Sequence, residues 1–386
     1  MKMPTNDRRE GMATKQTKKR SKSSAAAARR AKKKQKRIIL FIVEILVLAI
    51  LVAVLYTVLK ADNIQKIKVD EENIVTKVNE NVENNESLKG YRNIALFGVD
   101  SREGDLGKGT RSDSIIIASI NEETGEIKLC SVYRDTYLNL SNDSYNKCNS
   151  AYAKGGPEQA IIMLNMNLDL NITDYVTIGF DGLTDVIDAL GGVYVDVSEA
   201  EIPHLNNYQI SMVGTTSDGQ TFTATEGKDY TAVTTAGYQK LNGLQATAYC
   251  RIRHVGNDFE RAERQREVLA AVMDQAKKAS VSDLNKILDE VLPHVATSLD
   301  VDEMVGMLAD VTKYNITGSD GFPFESNRAT GKVGSKGSCV IPNNLAQNVV
   351  MLHEFLFDET DYTVSKEVQN YSDKIASDTG YSGASE

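Results

Sequence analysis

Tyr175–Val197 reads YVTIGFDGLTDVIDALGGVYVDV. Tyr175 to Phe180 is a short apolar run that predicts a strand. Asp181 to Leu190 follows with helical spacing, Asp181 near the N-cap and Gly191-Gly192 as the stop. Val193 to Val197 is the next strand. Strand, helix and strand in close succession argue for an α/β sheet covered by helices.

Upstream, Pro157 to Leu168 (PEQAIIMLNMNL) predicts a helix with proline near its first turn. Tyr91 to Val99 (YRNIALFGV) predicts a strand that ends at Asp100, Ser101 and Arg102. The loop Glu103–Thr110 carries Gly104, Gly107 and Gly109. Asp113-Ser114 opens a strand from Ile115 to Ile120, Asn121–Gly125 is a turn, and Glu126 to Val132 returns as the second arm of a hairpin. That arm delivers Tyr133, Arg134 and Asp135. Three strand ends thus supply Asp100, Asp113 and the Arg134-Asp135 pair, a place where α/β sheets often bind ligands. Downstream, Tyr208 to Tyr238 is rich in Thr, Ser and Gly and reads as a hairpin or lobe insertion. Helical patterns follow at Asp258–Lys278, Val281–Val291, Val301–Lys313 and about Asn343–Leu356.

Cys250–Gln265, CRIRHVGNDFERAERQ, is the stretch richest in chemistry. Arg251 and Arg253 are two apart, so on an extended segment they face one side. Val255-Gly256-Asn257 reads as a turn, and Asn257 with Glu260 fits an N-cap and capping box. On the helix that follows, Val268, Leu269, Val272 and Met273 form an apolar stripe, with Asp258, Arg261 and Gln265 on the same side. An inward arginine needs an internal acid or an external anion, and guanidinium donates to phosphate in bidentate pairs. The alternative is a surface helix laced with Glu–Arg pairs.

The net charge of −9 is unevenly spread: residues 1–37 hold fifteen Lys/Arg against Asp7 and Glu10, giving +13 and leaving −22 for the rest. Ile38 to Leu59 is apolar except for Glu44, Tyr56 and Thr57, which is long enough for one transmembrane helix. The basic cluster before it predicts a cytoplasmic N-terminus, with the domain outside the cell. Residues 60–90 read as an extracellular stalk, 91–357 as the main domain, and 358–386 as a flexible C-terminal tail. The basic arm lacks aromatics and fold signals, so it sets topology and touches anionic lipid rather than nucleic acid. Cys130, Cys148, Cys250 and Cys339 allow three pairings. No Cys/His spacing suggests zinc, and no Walker loop, GxSxG or Ser-His-Asp set is present. Cys250, beside Arg251, reads as a structural thiol or disulfide half rather than a nucleophile.

Asp100 and Asp113 suit a hard cation such as Mg²⁺, which takes one or two carboxylates plus phosphate oxygens. With arginines for phosphate and an exported location, they suggest phosphoryl chemistry on a pyrophosphate substrate.

In order along the chain, NIALFGVDSR, RSDSIII, SVYRDT, KCNSAYAKGG, FDGLTDVIDALGGVYVDV and LNGLQATAYCRIRHVGNDFERAERQ resemble the LytR-CpsA-Psr family, over roughly Arg92 to Met273. The resemblance implies an α/β/α sandwich with a central mixed sheet and a pocket for a lipid chain, preceded by a single transmembrane helix. It implies a cell-membrane enzyme of Gram-positive-type envelopes. Such an enzyme moves a glycopolymer (teichoic acid, capsule or similar) from a polyprenyl pyrophosphate carrier to peptidoglycan through a phosphodiester, with Mg²⁺ assisting. Asp100 and Asp113 match the metal-associated acids. Arg102, Arg134, Lys147, Arg251, Arg253, Arg261 and Gln265 match positions that hold pyrophosphate, with Arg264 beside them. Asp258 matches the acid that deprotonates the acceptor, with Arg134, Arg251 and Arg253 at the reacting phosphates. Tyr133 and Cys148 stand where proline and an aliphatic residue are usual. The Leu, Val and Ile of Phe180–Val197 would line the lipid pocket. Two other functions fit the same residues: hydrolysis of polyprenyl pyrophosphate with water as acceptor, and a non-catalytic membrane-bound envelope regulator.

Overall fold

Alternation decides where each strand's side chains go. β1 (Tyr91–Val99) sends Ala95, Phe97 and Val99 to one face and Ile94 and Leu96 to the other. A computed structural model describes residues 64–65, 67–100, 105–214 and 221–381, so the basic arm, the expected span at Ile38–Leu59, Ser101 to Gly104 and residues 382–386 lie outside the described residues. No helix among the described residues is long and apolar enough to cross a membrane.

The elements before β1 are α1 (Glu71–Val75) and α2 (Glu80–Glu83). After it come β2 (Ser112–Asn121), β3 (Glu126–Val132), β4 (Tyr137–Asn139), β5 (Tyr145–Lys147), α3 (Asn149–Leu168), β6 (Asp174–Gly179), α4 (Phe180–Ala189) and β7 (Val193–Val197). Then follow α5 (Ile202–Val213), β8 (Gly237–Leu241), α6 (Gly243–Tyr249), α7 (Asp258–Ala276), α8 (Val281–Val291), β9 (Val295–Thr297), α9 (Val301–Ala309) and β10 (Asn315–Phe322). The chain closes with the hairpin β11 (Arg328–Lys332) and β12 (Ser338–Pro342), then α10 (Leu345–Phe357) and α11 (Lys366–Thr379).

The six-stranded sheet has the order β10-β3-β2-β1-β6-β9. β1 runs antiparallel to β2 and parallel to β6, and β3 runs antiparallel to β2 and parallel to β10. The sheet is therefore mixed, and helices cover both faces. On one face, Phe97, Ile117 and Val132 pack with α3, α10 and α11. On the other, Ile116, Ala118 and Leu129 pack against Leu269 and Met273 of α7 and Met307 of α9. A second, smaller core joins β7, β8, α5 and α6 through Val193, Val195, Leu205, Leu241 and Ala246.

The expected strands, now β1, β2, β3, β6 and β7, and the long helices match the sequence expectation, but the sheet's edge strands β9 and β10 were not expected, and four further segments differ. The helical piece that starts at Pro157 is as expected, but α3 also has an unexpected piece from Asn149, separated from it by the non-helical Gly156 at φ 67°. Tyr208 falls in α5, whose Leu205 and Gln209 are fully buried, so part of the expected lobe insertion is a core helix. The supposed stalk packs on the domain: Ile74, Val82 and Leu88 are buried in the main core. Their wide spacing among Asn, Glu and Lys hides the apolar face from a periodicity reading. The same holds for the supposed tail, where Ser365 caps α11 and buries Val368 and Ile375.

A buried polar junction locks these two ends together. Asp169, at the left-handed end of α3, accepts hydrogen bonds from Asn79 Nδ2 at 2.5 Å and from the Ser365 N–H at 2.7 Å. Burying a carboxylate is tolerable only with such donors. Ile74→Ala is expected to destabilise the folded chain by about 2–5 kcal/mol in chemical denaturation. A loss below about 0.5 kcal/mol would mean that the segment before β1 is a passive tether.

Candidate functional site

One end of the sheet gathers the charges. Asp100 directly follows β1, Asp113 is the second residue of β2, and Arg134 lies two residues past the end of β3. Opposite them, α6 stops at Cys250 and the turn that follows carries Arg251 and Arg253. That turn is not the extended segment expected, yet both arginines still face one cavity. α7 then starts with the expected capping box: Asn257 Oδ1 accepts from the Phe259 N–H at 2.7 Å, and Glu260 Oε2 accepts from the Asn257 N–H at 2.7 Å. This start fixes Asp258 in the first turn and Arg261 one turn further in.

Asp113 is the hub. Its Oδ1 accepts from Arg134 Nη1 at 2.7 Å, its Oδ2 from Arg253 Nη2 at 3.3 Å, and its backbone oxygen from Arg261 Nη2 at 2.9 Å. Asp258 Oδ2 accepts from Arg134 Nε at 3.2 Å, and its Oδ1 lies 3.4 Å from Arg261 Nε. That last contact is an ion pair without a hydrogen bond, since Arg261 Nε has no hydrogen-bond partner. Burial works against the charge on Arg134, but Asp258 and Asp113 outweigh it and hold its pKa above the ordinary value. Arg261 is deeper. Burial, together with the like charges of Arg134 and Arg253, pulls it down to about 10. Three arginines thus share two carboxylates. Arg251 adds a fourth guanidinium, held over the Phe180 ring at 4.3 Å and the Tyr208 ring at 5.8 Å rather than against a carboxylate among the described residues.

Asp100, Asp113, Phe180, Tyr208, Arg251, Arg253, Arg261 and Gln265 line a polar cavity of about 150 Å³. Next to it lies an apolar cavity of about 230 Å³ between the sheet, α4 and α7, walled by Leu96, Ile116, Val176, Leu183, Val186, Val268, Leu269 and Val272. Phe180, Cys250 and Gln265 line both. Gln265 Nε2 donates to the Cys250 backbone oxygen at 3.4 Å, at this junction. Of the segment Phe180–Val197, Phe180, Leu183 and Val186 reach the apolar cavity, whereas Val193, Val195 and Val197 belong to the smaller core.

Asp100 and Asp113 offer hard carboxylate oxygens to the same cavity, a donor set that suits Mg²⁺ sharing phosphate oxygens. Among the described residues, no group of three or more His, Cys, Asp or Glu is placed so that it could hold a metal ion. All four cysteines are free and buried, so none of the three pairings is made. Burial raises the Cys250 thiol to about 12, which keeps it protonated and unreactive.

Two expected phosphate ligands lie elsewhere. Lys147, in β5, pairs with Asp135 at 3.3 Å and does not line the polar cavity. Arg264 points away from the site: its Nε meets Glu201 Oε1 at 2.6 Å, and its other nitrogens donate to the backbone oxygens of Ile252 and Val255. Arg264 is therefore a strut that holds the arginine turn against α7 and α5. Its neighbour in sequence, Gln265, faces the site because adjacent helical positions point about 100° apart. Arg102 lies outside the described residues. The sequence reading missed Tyr208 and Glu201, since nothing in the local pattern around α5 distinguishes a site-facing side from a core-facing one.

Glu201 and Arg264 are both nearly buried, so removing one partner strands the other. Glu201→Ala is expected to cost about 3–5 kcal/mol of stability at neutral pH. Burial raises the Glu201 carboxyl, but hydrogen bonds from Arg264 and Ser198 dominate and place it below the ordinary carboxylate value. Its contribution is present above the unfolded carboxylate pKa and is lost as pH falls through the lower folded value. Denaturation across that acidic window should show a smaller pH slope in Glu201→Gln than in the wild type. An unchanged slope contradicts the assignment.

Known proteins resemble this chain in sequence and in fold. The chain is 34% identical over 236 residues to the polyisoprenyl-teichoic acid–peptidoglycan teichoic acid transferase TagU of Oceanobacillus iheyensis, a match covering 58% of this chain and 65% of that protein. It is 29% identical over 241 residues to the corresponding transferase TagV of Bacillus subtilis, covering 59% of this chain and 56% of that protein. The chain thus spans less than two thirds of the length of these relatives. In structure it superposes on B. subtilis TagV with a TM-score of 0.53 and 26% identity, covering 72% of this chain and 99% of the other. TagT bound to LI-WTA gives a TM-score of 0.52 at 20% identity, covering 77% and 93%, which is a likeness of fold. The model of the LytR_cpsA_psr family matches residues 51–333, and the chain belongs to that family.

Proposed function

We propose that this chain transfers an anionic glycopolymer, of the teichoic acid or capsule class, from a polyprenyl pyrophosphate carrier to a hydroxyl of peptidoglycan. One observation carries the reading. An apolar cavity and an arginine-lined polar cavity meet at Phe180, Cys250 and Gln265, which suits an amphiphile with a hydrocarbon chain and a polyanionic head. The name of the similar protein TagU supports the choice of donor and acceptor.

In this reading Arg134, Arg251, Arg253 and Arg261 bind the pyrophosphate and oppose charge that builds on its oxygens. Asp258, paired with Arg134, is the base that accepts the proton of the acceptor hydroxyl. The acceptor oxygen forms a new bond to the phosphorus attached to the glycopolymer. The bond from that phosphorus to the bridging oxygen breaks, and polyprenyl phosphate leaves with the electron pair. Asp100 and Asp113 would hold Mg²⁺, which supplies charge neutralisation at the phosphates when bound. The apolar run Ile38–Leu59 and the basic residues before it support a single membrane span with this domain outside the cell.

The reading is tested by incubating the full chain with labelled lipid-linked glycopolymer and peptidoglycan. Transfer to the acceptor is expected, with Arg251→Ala lowering turnover by about 10²–10³-fold and Asp258→Asn by about 10²–10⁴-fold. Chelation should reduce turnover and added Mg²⁺ restore it. Release of free glycopolymer phosphate with no product on peptidoglycan would instead identify a hydrolase. Absence of any turnover would point to a binding protein.

A further inference from the structure

The C-terminal hairpin β11–β12 approaches the site from outside the polar cavity, and Arg328 at its first position makes an unusual set of contacts. Its guanidinium lies over the Phe259 ring at 3.8 Å and over the Tyr133 ring at 5.3 Å. Its Nη1 donates to the Tyr133 hydroxyl at 3.0 Å. The two rings meet edge to face at 4.6 Å. Tyr133 immediately precedes Arg134, and Phe259 immediately follows Asp258. The two segments that carry the Arg134–Asp258 ion pair are therefore joined a second time, one residue away, by an aromatic contact that Arg328 clamps.

We propose that Arg328 is a positioning residue that holds Arg134 and Asp258 in register by acting through Tyr133 and Phe259. Its charge is not spent on a strong ion pair. Its one ion-pair contact among the described residues is with Glu325, at 3.7 Å, whose side chain is 91% exposed. The Arg328 side chain is itself only 15% exposed, so the rings and the phenol are its main partners. The Tyr133 phenol packs directly on Gly321, where an added methyl group would overlap its oxygen. The hairpin also grips the other side of Arg134: the Val340 N–H donates to the Asp135 backbone oxygen at 2.9 Å, and Thr136 bridges to Val340. Residues 133 to 136 are thus held at both ends by one hairpin, with Arg134 between the two grips.

The proposal rests on the reading of Arg134 as a pyrophosphate ligand, and a double-mutant cycle tests it by calorimetric titration with inorganic pyrophosphate. The full chain is compared as wild type, Arg328→Met, Arg134→Ala and the double variant. Methionine retains bulk over Phe259 but removes the cation and the hydrogen bond to Tyr133. Arg328→Met is expected to weaken binding by about three- to tenfold when Arg134 is present, and by less than about 1.5-fold when Arg134 is alanine. Arg328→Lys, which keeps a cation over the ring, should recover part of the loss. Equal weakening in both backgrounds, or none in the first, overturns the proposal. If Arg328→Met does not fold, Tyr133→Phe, which removes only the hydroxyl, takes its place in the same cycle. Pyrophosphate affinity reads this coupling whether or not the chain turns over a lipid donor, so failure of the transferase reading appears separately, as wild-type binding without transfer.

Discussion

Like charges crowded at one end of a sheet are the constraint on which the rest depends. Arg134, Arg253 and Arg261 converge on Asp113 and Asp258, and Arg251 stands beside them on an aromatic ring. Even with Asp100 in the same cavity, three carboxylates face four guanidiniums. Burial, with the like charges of Arg134 and Arg253, depresses the pKa of Arg261, and its Nε, 3.4 Å from Asp258, makes no hydrogen bond. A fold that buries such a surplus bears a cost unless an anion completes it. The surrounding architecture serves to hold the surplus in place: the capping box that starts α7, the Glu201–Arg264 strut behind the arginine turn, and the C-terminal hairpin behind Arg134.

The apolar cavity gives that charge its context. α4 and α7 stand off the sheet far enough to leave an unfilled space, although interiors are normally close-packed. The void opens onto the guanidiniums instead of being sealed from them. A small soluble anion would need only the polar half. A ligand with a long hydrocarbon chain explains both halves and explains why the same residues wall them.

Much of this was legible in the sequence, for identifiable reasons. The strands at Tyr91–Val99 and Glu126–Val132 are apolar runs bounded by turns, and α7 announces itself by Asn257 and Glu260 at its start and by a stripe at Val268, Leu269 and Val272. Asp100, Asp113 and Arg134 stood out because each sits at a strand end. Arg261 and Gln265 stood out because charge and amide fell on an apolar side. What stayed hidden depends on contacts between distant segments. Arg264 lies within one turn of Arg261 on the same helix, and Glu201 with the backbone oxygens of Ile252 and Val255, all on other segments, turns it into a strut. Lys147 was placed by motif, but Asp135 takes it out of the cavity. The segments before β1 and after α10 looked polar because each contributes only a few apolar residues, yet those residues fill the main core.

The most direct test of the account is a structure of the full chain with a polyprenyl pyrophosphate bound. The account predicts phosphates within hydrogen-bonding reach of Arg134, Arg251, Arg253 and Arg261, with the hydrocarbon chain running between the sheet and α4 and α7 past Phe180. Phosphates bound away from these four arginines, or a chain lying outside that cavity, would contradict it.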